Sequence, residues 1–195
     1  MRIKCKAIFE KQRINRLRYY PPSINRSIGK FKVEDQSIRM GGLSAIKGIG
    51  FQIVQEILQA RKEKPFKNIF DFCLRVPTNR VKRSAIESLI LAGGAFDETY
   101  SNRATLLASL DDAIEQGGEL FRGFDDQLAL FQGGDLALDA VYVDKEPFPP
   151  IKQLMMEKEV VGFFVSTHPL TNIRTRIAKL VTLRFNRPNI KNQES

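Results

Sequence analysis

The sequence predicts a mainly α chain: two helix–break–helix units in tandem, a small N-terminal β-hairpin before them and an irregular acidic segment after them. Three observations carry that prediction. Apolar residues recur at helical spacing from Leu43 to Ile114. Glycine pairs, a proline and capping side chains cut that stretch into short pieces. Ahead of it, Phe31-Lys32-Val33-Glu34 and Ser37-Ile38-Arg39-Met40 alternate apolar and polar around Asp35-Gln36, the pattern of two strands and a turn. The 195 residues, 43% hydrophobic and 27% charged, suffice to bury a core.

The elements follow in order. Residues 1–20 are basic with a weak helical pattern (Ile3, Ala7, Ile8, Ile14, Leu17), which Tyr19-Tyr20-Pro21-Pro22 stops, because the residue before a proline is pushed out of the α region. After the hairpin, Gly41-Gly42 separates the region 1–42 from a short helix over 43–47. Gly48-Ile49-Gly50 then makes a tight turn into a helix over 51–62, with Ile53, Val54, Ile57 and Leu58 on one face. Asn68 caps a helix over 69–75, which Pro77 ends. Thr78 or Asn79 starts the next, over 80–92, closed by Gly93-Gly94. Ser101 or Asn102 caps a helix over 103–116 that Gly117-Gly118 ends, so the tandem unit spans 43–116. Residues 117–150 read as a flexible, irregular segment. Helical pattern returns over 151–164 and 171–181 within a connector, 151–195, whose end is polar.

Composition excludes several kinds of chemistry. Two cysteines, Cys5 and Cys73, build neither a disulfide scaffold nor a Cys-rich zinc site, and the lone His168 is expected to be structural or at the surface. Asp111-Asp112 and Asp125-Asp126 are expected to face solvent; on a helix, adjacent acids diverge too far to share a metal. No cofactor, no metal and no catalytic residue is expected. The longest apolar run, Val160 to Val165, is too short for a membrane span, and the start lacks the apolar stretch of a secretory signal. The expected setting is soluble, reducing and cytoplasmic, with no membrane partner.

Charge is unevenly placed. Residues 1–70 hold 16 Lys+Arg against 5 Asp+Glu, residues 71–150 hold 7 against 14, and residues 151–195 hold 8 against 3. A net +11 third is thus followed by a −7 middle and a +5 end. Only part of the surface is suited to a polyanion.

Leu43 to Val54 fits a helix-hairpin-helix signature. Gly48 and Gly50 allow a sharp turn to which a ligand can come close. The amides of residues 48–51 then point outward at the start of the second helix, a ready anion site. Lys47 adds charge, Ile49 anchors the turn in the core, and Phe51 opens the helix. Lys47, Gly48, Ile49, Gly50 and Phe51 are the expected DNA contacts, made to backbone and therefore blind to base sequence. The second unit is a degenerate copy whose turn, Val76 to Arg80, lacks the glycines; Arg80, Lys82 and Arg83 could add phosphate contacts, with solvated surface charge the expected role. DNA glycosylases with this hairpin carry a reactive lysine two residues past the second glycine. Here that position is Gln52, which argues against base excision.

Within the acidic segment, Gln127-Leu128-Ala129-Leu130-Phe131 sits between Gly123 and Gly133-Gly134. It matches the Gln-Leu-x-Leu-Phe motif by which bacterial proteins bind the sliding clamp. A chance match to four fixed positions in a chain this long is expected at about 0.3%. Gln127 would hydrogen-bond at a pocket edge beside Leu128, while Leu130 and Phe131 enter apolar pockets. Phe121 and Phe124 either pack the segment down or extend that contact.

Together these segments resemble the alpha subunit of bacterial DNA polymerase III, of the DnaE type. The resemblance runs from about 19 to 172 and rests on Pro21-Pro22-Ser23-Ile24-Asn25, Ile38-Arg39, Ala45 to Gly50, Pro65-Phe66 and Phe70 to Cys73. Ala92 to Asp97, Asn102-Arg103-Ala104, the clamp peptide, Glu157 to Phe163 and His168-Pro169-Leu170 continue it. It implies the end of the fingers, a tandem helix-hairpin-helix and clamp-binding region, and the approach to an OB domain. The palm and PHP domains of the family would lie outside these residues. The resemblance further implies a non-catalytic part of a DNA-directed DNA polymerase, a nucleotidyltransferase with Mg2+ in the parent protein. Its partners would be duplex DNA, the sliding clamp and the rest of the alpha subunit. A free-standing helix-hairpin-helix repair or recombination adaptor is the alternative reading, and a nuclease or glycosylase a third.

Overall fold

A computed structural model of the chain describes residues 18–30, 32–34, 37–39, 42–93, 95–96, 99–100, 102–123 and 140–167. Three short strands come first: β1 (Arg18–Tyr20), β2 (Lys32–Glu34) and β3 (Ser37–Arg39). β3 lies in the middle, antiparallel to β2 with Val33 opposite Ile38, and parallel to β1 with Tyr19 opposite Ile38. The Asp35-Gln36 turn lies outside the described residues. β1 corrects the helical reading of the N-terminal stretch at residues 18–20: two tyrosines favour the pleated backbone, and Pro21 holds Tyr20 extended.

Among the described residues six α-helices follow: α1 (Phe51–Ala60), α2 (Ile69–Arg75), α3 (Arg83–Leu91), α4 (Arg103–Ala108), α5 (Leu110–Gly123) and α6 (Pro150–Val161). A single 3-10 turn, Leu43–Ala45, stands where a helix over 43–47 was expected. Among the described residues no helix is long and apolar enough to cross a membrane. The core joins Val54 and Ile57 of α1, Phe70 and Phe72 of α2, Ile86 and Leu89 of α3, and Leu106 and Leu110 of α4 and α5.

The loop Pro21 to Asn25 ties the sheet side to this core. Ile24 is fully buried and its N–H donates to the Ala95 carbonyl (3.0 Å). The Asn25 side chain brackets the Phe66 backbone, accepting from its N–H (2.7 Å) and donating to its carbonyl (2.9 Å). Arg75, in the last turn of α2, reaches under the end of α1. It donates to the carbonyls of Ala60 and Lys64, pairs with Asp71 (3.1 Å) and lies over the Phe66 ring. A cation placed on the unsatisfied carbonyls of a helix end is favourable.

Local chemistry sets most boundaries. Asn68 caps α2 as expected, its Oδ1 accepting the Asp71 N–H (2.8 Å). α3 begins later than the 80–92 reading because the Pro77 carbonyl collects the N–H groups of Arg80 and Val81 in a turn, leaving Lys82 extended. Asn102 caps α4, but the expected helix over 103–116 is two helices. The break falls at buried Ser109, whose hydroxyl accepts the Val143 N–H (2.8 Å). Pro150 fits the first turn of α6, where no donor is needed, and Gly162 ends it at φ +95.

Gly117-Gly118 does not end a helix; α5 runs through both to Gly123. α5 packs on α2, and a Cβ on Gly117 would stand 2.5 Å from the Cys73 carbonyl oxygen. Gly117 is there so that two backbones can approach. Cys73 lies beneath that contact in the core, and burial pushes its thiol up to about 12. The far end of the 117–150 segment is also fixed. Tyr142 stacks on Tyr100 (4.5 Å) and meets the edge of Phe70, while Lys145 exchanges hydrogen bonds with Thr105 and accepts one from Asn102 (2.6 Å). Residues 124–139, and with them Gln127, Leu128, Leu130 and Phe131, lie outside the described residues, as do 168–195.

One buried carboxylate joins α6 to the rest. Glu157 is 1% exposed and faces Arg103, 5% exposed, at 2.9 Å. It also accepts from the Val165 N–H (3.2 Å), the Ser166 N–H (3.0 Å) and the Ser166 hydroxyl (2.5 Å). Three residues further along α6, the Val160 carbonyl accepts the Lys47 N–H (2.7 Å), so α6 holds the turn that precedes α1.

Two stability predictions follow from these contacts. Gly117→Ala should destabilise the chain by about 1–3 kcal/mol, because its methyl meets unyielding backbone. Gly118→Ala, with nothing within 4 Å of a Cβ, should stabilise it by up to about 1 kcal/mol through helix propensity. Urea unfolding of both variants checks the opposite signs. Glu157→Ala should cost about 3–5 kcal/mol in the same assay, because it removes the carboxylate paired with a buried guanidinium.

Candidate nucleic-acid interface

The candidate site grows out of the turn at residues 46–50. Ile46 and Ile49 are buried and pin the turn to the core. Gly48 sits at φ +84, a left-handed backbone that side chains resist, so glycine is what the turn demands there. Gly50 is extended (φ −82, ψ 175) and begins α1 without any side-chain cap. The N–H groups of Phe51, Gln52 and Ile53, in the first turn of α1, therefore find no acceptor among the described residues.

The amides sort differently from the sequence reading. Ile49 does not offer its N–H: it donates to the Ile46 carbonyl (3.1 Å). The Lys47 N–H is taken by Val160, although the Lys47 side chain is exposed. The open donors run from Gly50 to Ile53, with Gly48 beside them. Phe51 is 75% exposed, so its ring is not a core anchor.

The second unit faces the same space. An open cleft of ≈ 680 Å³ is lined by Gly48, Gly50 and Phe51 to Ile53 from the first unit, and by Arg80, Lys82 and Ser84 from the second. α3 also starts without a side-chain cap, at Lys82. Two uncapped helix N-termini thus open on one cleft, with exposed Arg80 and Lys82 at its rim. The sequence offers phosphate contact for these two only as the lesser alternative to solvated surface charge. The usable signal was their place: both stand immediately before the second helix of a unit, as Lys47 stands before α1.

Arg83 is different. It donates through Nε and Nη2 to Asp111 (2.6 and 3.2 Å) and through Nη1 to Glu87. Asp111 and Glu87 hold its guanidinium above its ordinary range, and Arg83 in turn holds the Asp111 carboxyl below its own. Arg83 is committed to acids on α3 and α5 and is not a rim cation. Among the described residues no group of three His, Cys, Asp or Glu side chains is placed to hold a metal.

A family model described as a helix-hairpin-helix motif matches residues 16–106. The chain is 46% identical over 161 residues, 83% of its length, to the DNA polymerase III subunit alpha of Bacillus subtilis. It is 32% identical to that of Vibrio cholerae over 85% of its length, and 31% identical to that of Escherichia coli over the same share. The chain spans 14 to 15% of the length of these relatives. With that identity across four-fifths of its residues and the hairpin motif in place, the chain belongs to the DNA polymerase III subunit alpha family.

Proposed function

We propose that this chain grips the sugar-phosphate backbone of duplex DNA and tethers the protein to a sliding clamp. One observation carries the DNA part: two uncapped helix N-termini and two exposed cations line a single open cleft. Amide donors and helix dipoles favour a phosphate, and neither reads a base. The first phosphate lies against Gly48, Gly50 and Phe51 beside Lys47. The second lies at the start of α3 beside Lys82 and Arg80. Ile49 supports the turn from the core and makes no contact itself. The polymerising chemistry, with its Mg2+, belongs to the rest of the longer protein.

The clamp tether rests on the sequence Gln127-Leu128-Ala129-Leu130-Phe131 and on its surroundings. Its acidic neighbourhood keeps it off DNA and offers it to a protein. The flanks are held, by α5 packed on α2 at one end and by the Tyr142–Tyr100 stack at the other. A weak duplex contact and a weak clamp contact in one chain raise each other's effective concentration, which lengthens residence on DNA.

Binding to duplexes of unrelated sequence should be equal and should weaken with salt. Arg80 and Lys82 at the rim together with Lys47 beside the first turn imply a log–log slope of about −3. Lys47→Ala and Lys82→Ala should each lower that slope by about one, and Arg83→Ala should leave it unchanged. Affinity indifferent to salt, or a clear preference among sequences, overturns the backbone reading. For the tether, a Gln127/Leu130/Phe131 triple-alanine variant should lose clamp binding in a pull-down while keeping duplex affinity. A variant that binds the clamp as well as the unaltered chain refutes it.

A further inference from the structure

The cleft contains one acid, Glu56, where a phosphate-binding surface would be expected to avoid one. It belongs to α1, one and a half turns past Phe51, and its Oε1 accepts a hydrogen bond from Arg80 Nη1 at 2.7 Å. Arg80 belongs to the other unit, so this ion pair bridges the two walls of the cleft. The two ends are unequally placed: the Arg80 side chain is 68% exposed and that of Glu56 23%. The acid is set into the wall and the guanidinium stands in the opening.

Arg80 uses a single N–H on Glu56. Its Nε and Nη2 meet no acceptor among the described residues. A guanidinium is a rigid planar fork with five donors, so one donor can be fixed while the others bind an oxyanion. Arg83, three residues later, is the contrast, with Nε, Nη1 and Nη2 all engaged by acids. One arginine is saturated and the other is anchored at one corner and open at the rest. An unanchored arginine on a turn samples many rotamers, and binding a phosphate would have to fix them.

We propose that Glu56 is a positioning residue: it holds Arg80 across the cleft as a preset contact for a backbone phosphodiester. This rests on the reading of the cleft as a DNA-backbone site, and it adds a residue whose charge alone would predict the opposite effect. By simple electrostatics, removing a carboxylate from a phosphate cleft tightens binding. By positioning, removing it frees Arg80 and weakens binding.

The test measures duplex affinity and its salt dependence for the full chain, with thermal unfolding to show that each variant is folded. Glu56→Ala should weaken binding about three- to tenfold and lower the salt slope by up to about one, as Arg80→Ala does. Glu56→Gln keeps the acceptor oxygen and should bind at least as well as the unaltered chain. The double variant Glu56→Ala/Arg80→Ala should match Arg80→Ala alone, because Glu56 acts only through Arg80. Glu56→Ala binding that is unchanged or tighter, or effects that simply add, overturns the proposal. Lys82→Ala separates the two levels: if it weakens binding and Glu56→Ala does not, the positioning role fails and the cleft reading stands. If neither matters, the cleft reading fails as well.

Discussion

The arrangement of the binding cleft depends on one buried carboxylate. Glu157 gathers Arg103, two backbone amides and a hydroxyl in the interior, which offsets the large cost of taking its charge out of water. Those bonds fix α6 against α4 and against the segment at 165–166. Because α6 is fixed, the Val160 carbonyl stands where the Lys47 N–H needs it. That bond sets the entry to the turn at 48–50 and so aims the open amides of α1. The same carboxylate leaves no room for a side chain at Gly93, just past the end of α3, where a Cβ would lie 2.7 Å from its Oε1.

The positive charges around the core and the cleft divide into structural and available parts. Arg75 holds the end of α1, and Arg61 donates to the Ile24 carbonyl (2.7 Å). Arg103 is internal and Arg83 is saturated by acids. What remains around the two helix starts is Lys47, Lys82 and the open side of Arg80. Few cations and several backbone amides stand at the two helix starts, and none of these donors is of a kind that reads a base.

Much of this architecture is legible in the sequence, and the exceptions have physical causes. Asn68 and Asn102 act as caps because a cap is a local matter between a side chain and the next three residues. The Gly48-x-Gly50 turn is legible for the same reason. Gly117-Gly118 misleads because the cost of glycine inside a helix is about 1 kcal/mol, which close packing on α2 readily exceeds. For Arg80 and Lys82 the sequence offers only a position before the second helix of a unit; that they line one cleft with the first turn needs residues from both units. The Arg103–Glu157 pair, 54 positions apart, leaves no periodic trace at all.

The central claim is that two helix starts act as one phosphate-binding surface. Backbone amide chemical shifts of the isotope-labelled chain, followed as duplex DNA is added, test it most directly. The account predicts that Gly48, the amides from Gly50 to Ile53 and those of Arg83 and Ser84 shift together along one saturation curve, while the already bonded Ile49 amide moves least. Shifts confined to one of the two helix starts, or centred on the far face of α6 around Ile151 and Met155, would contradict it.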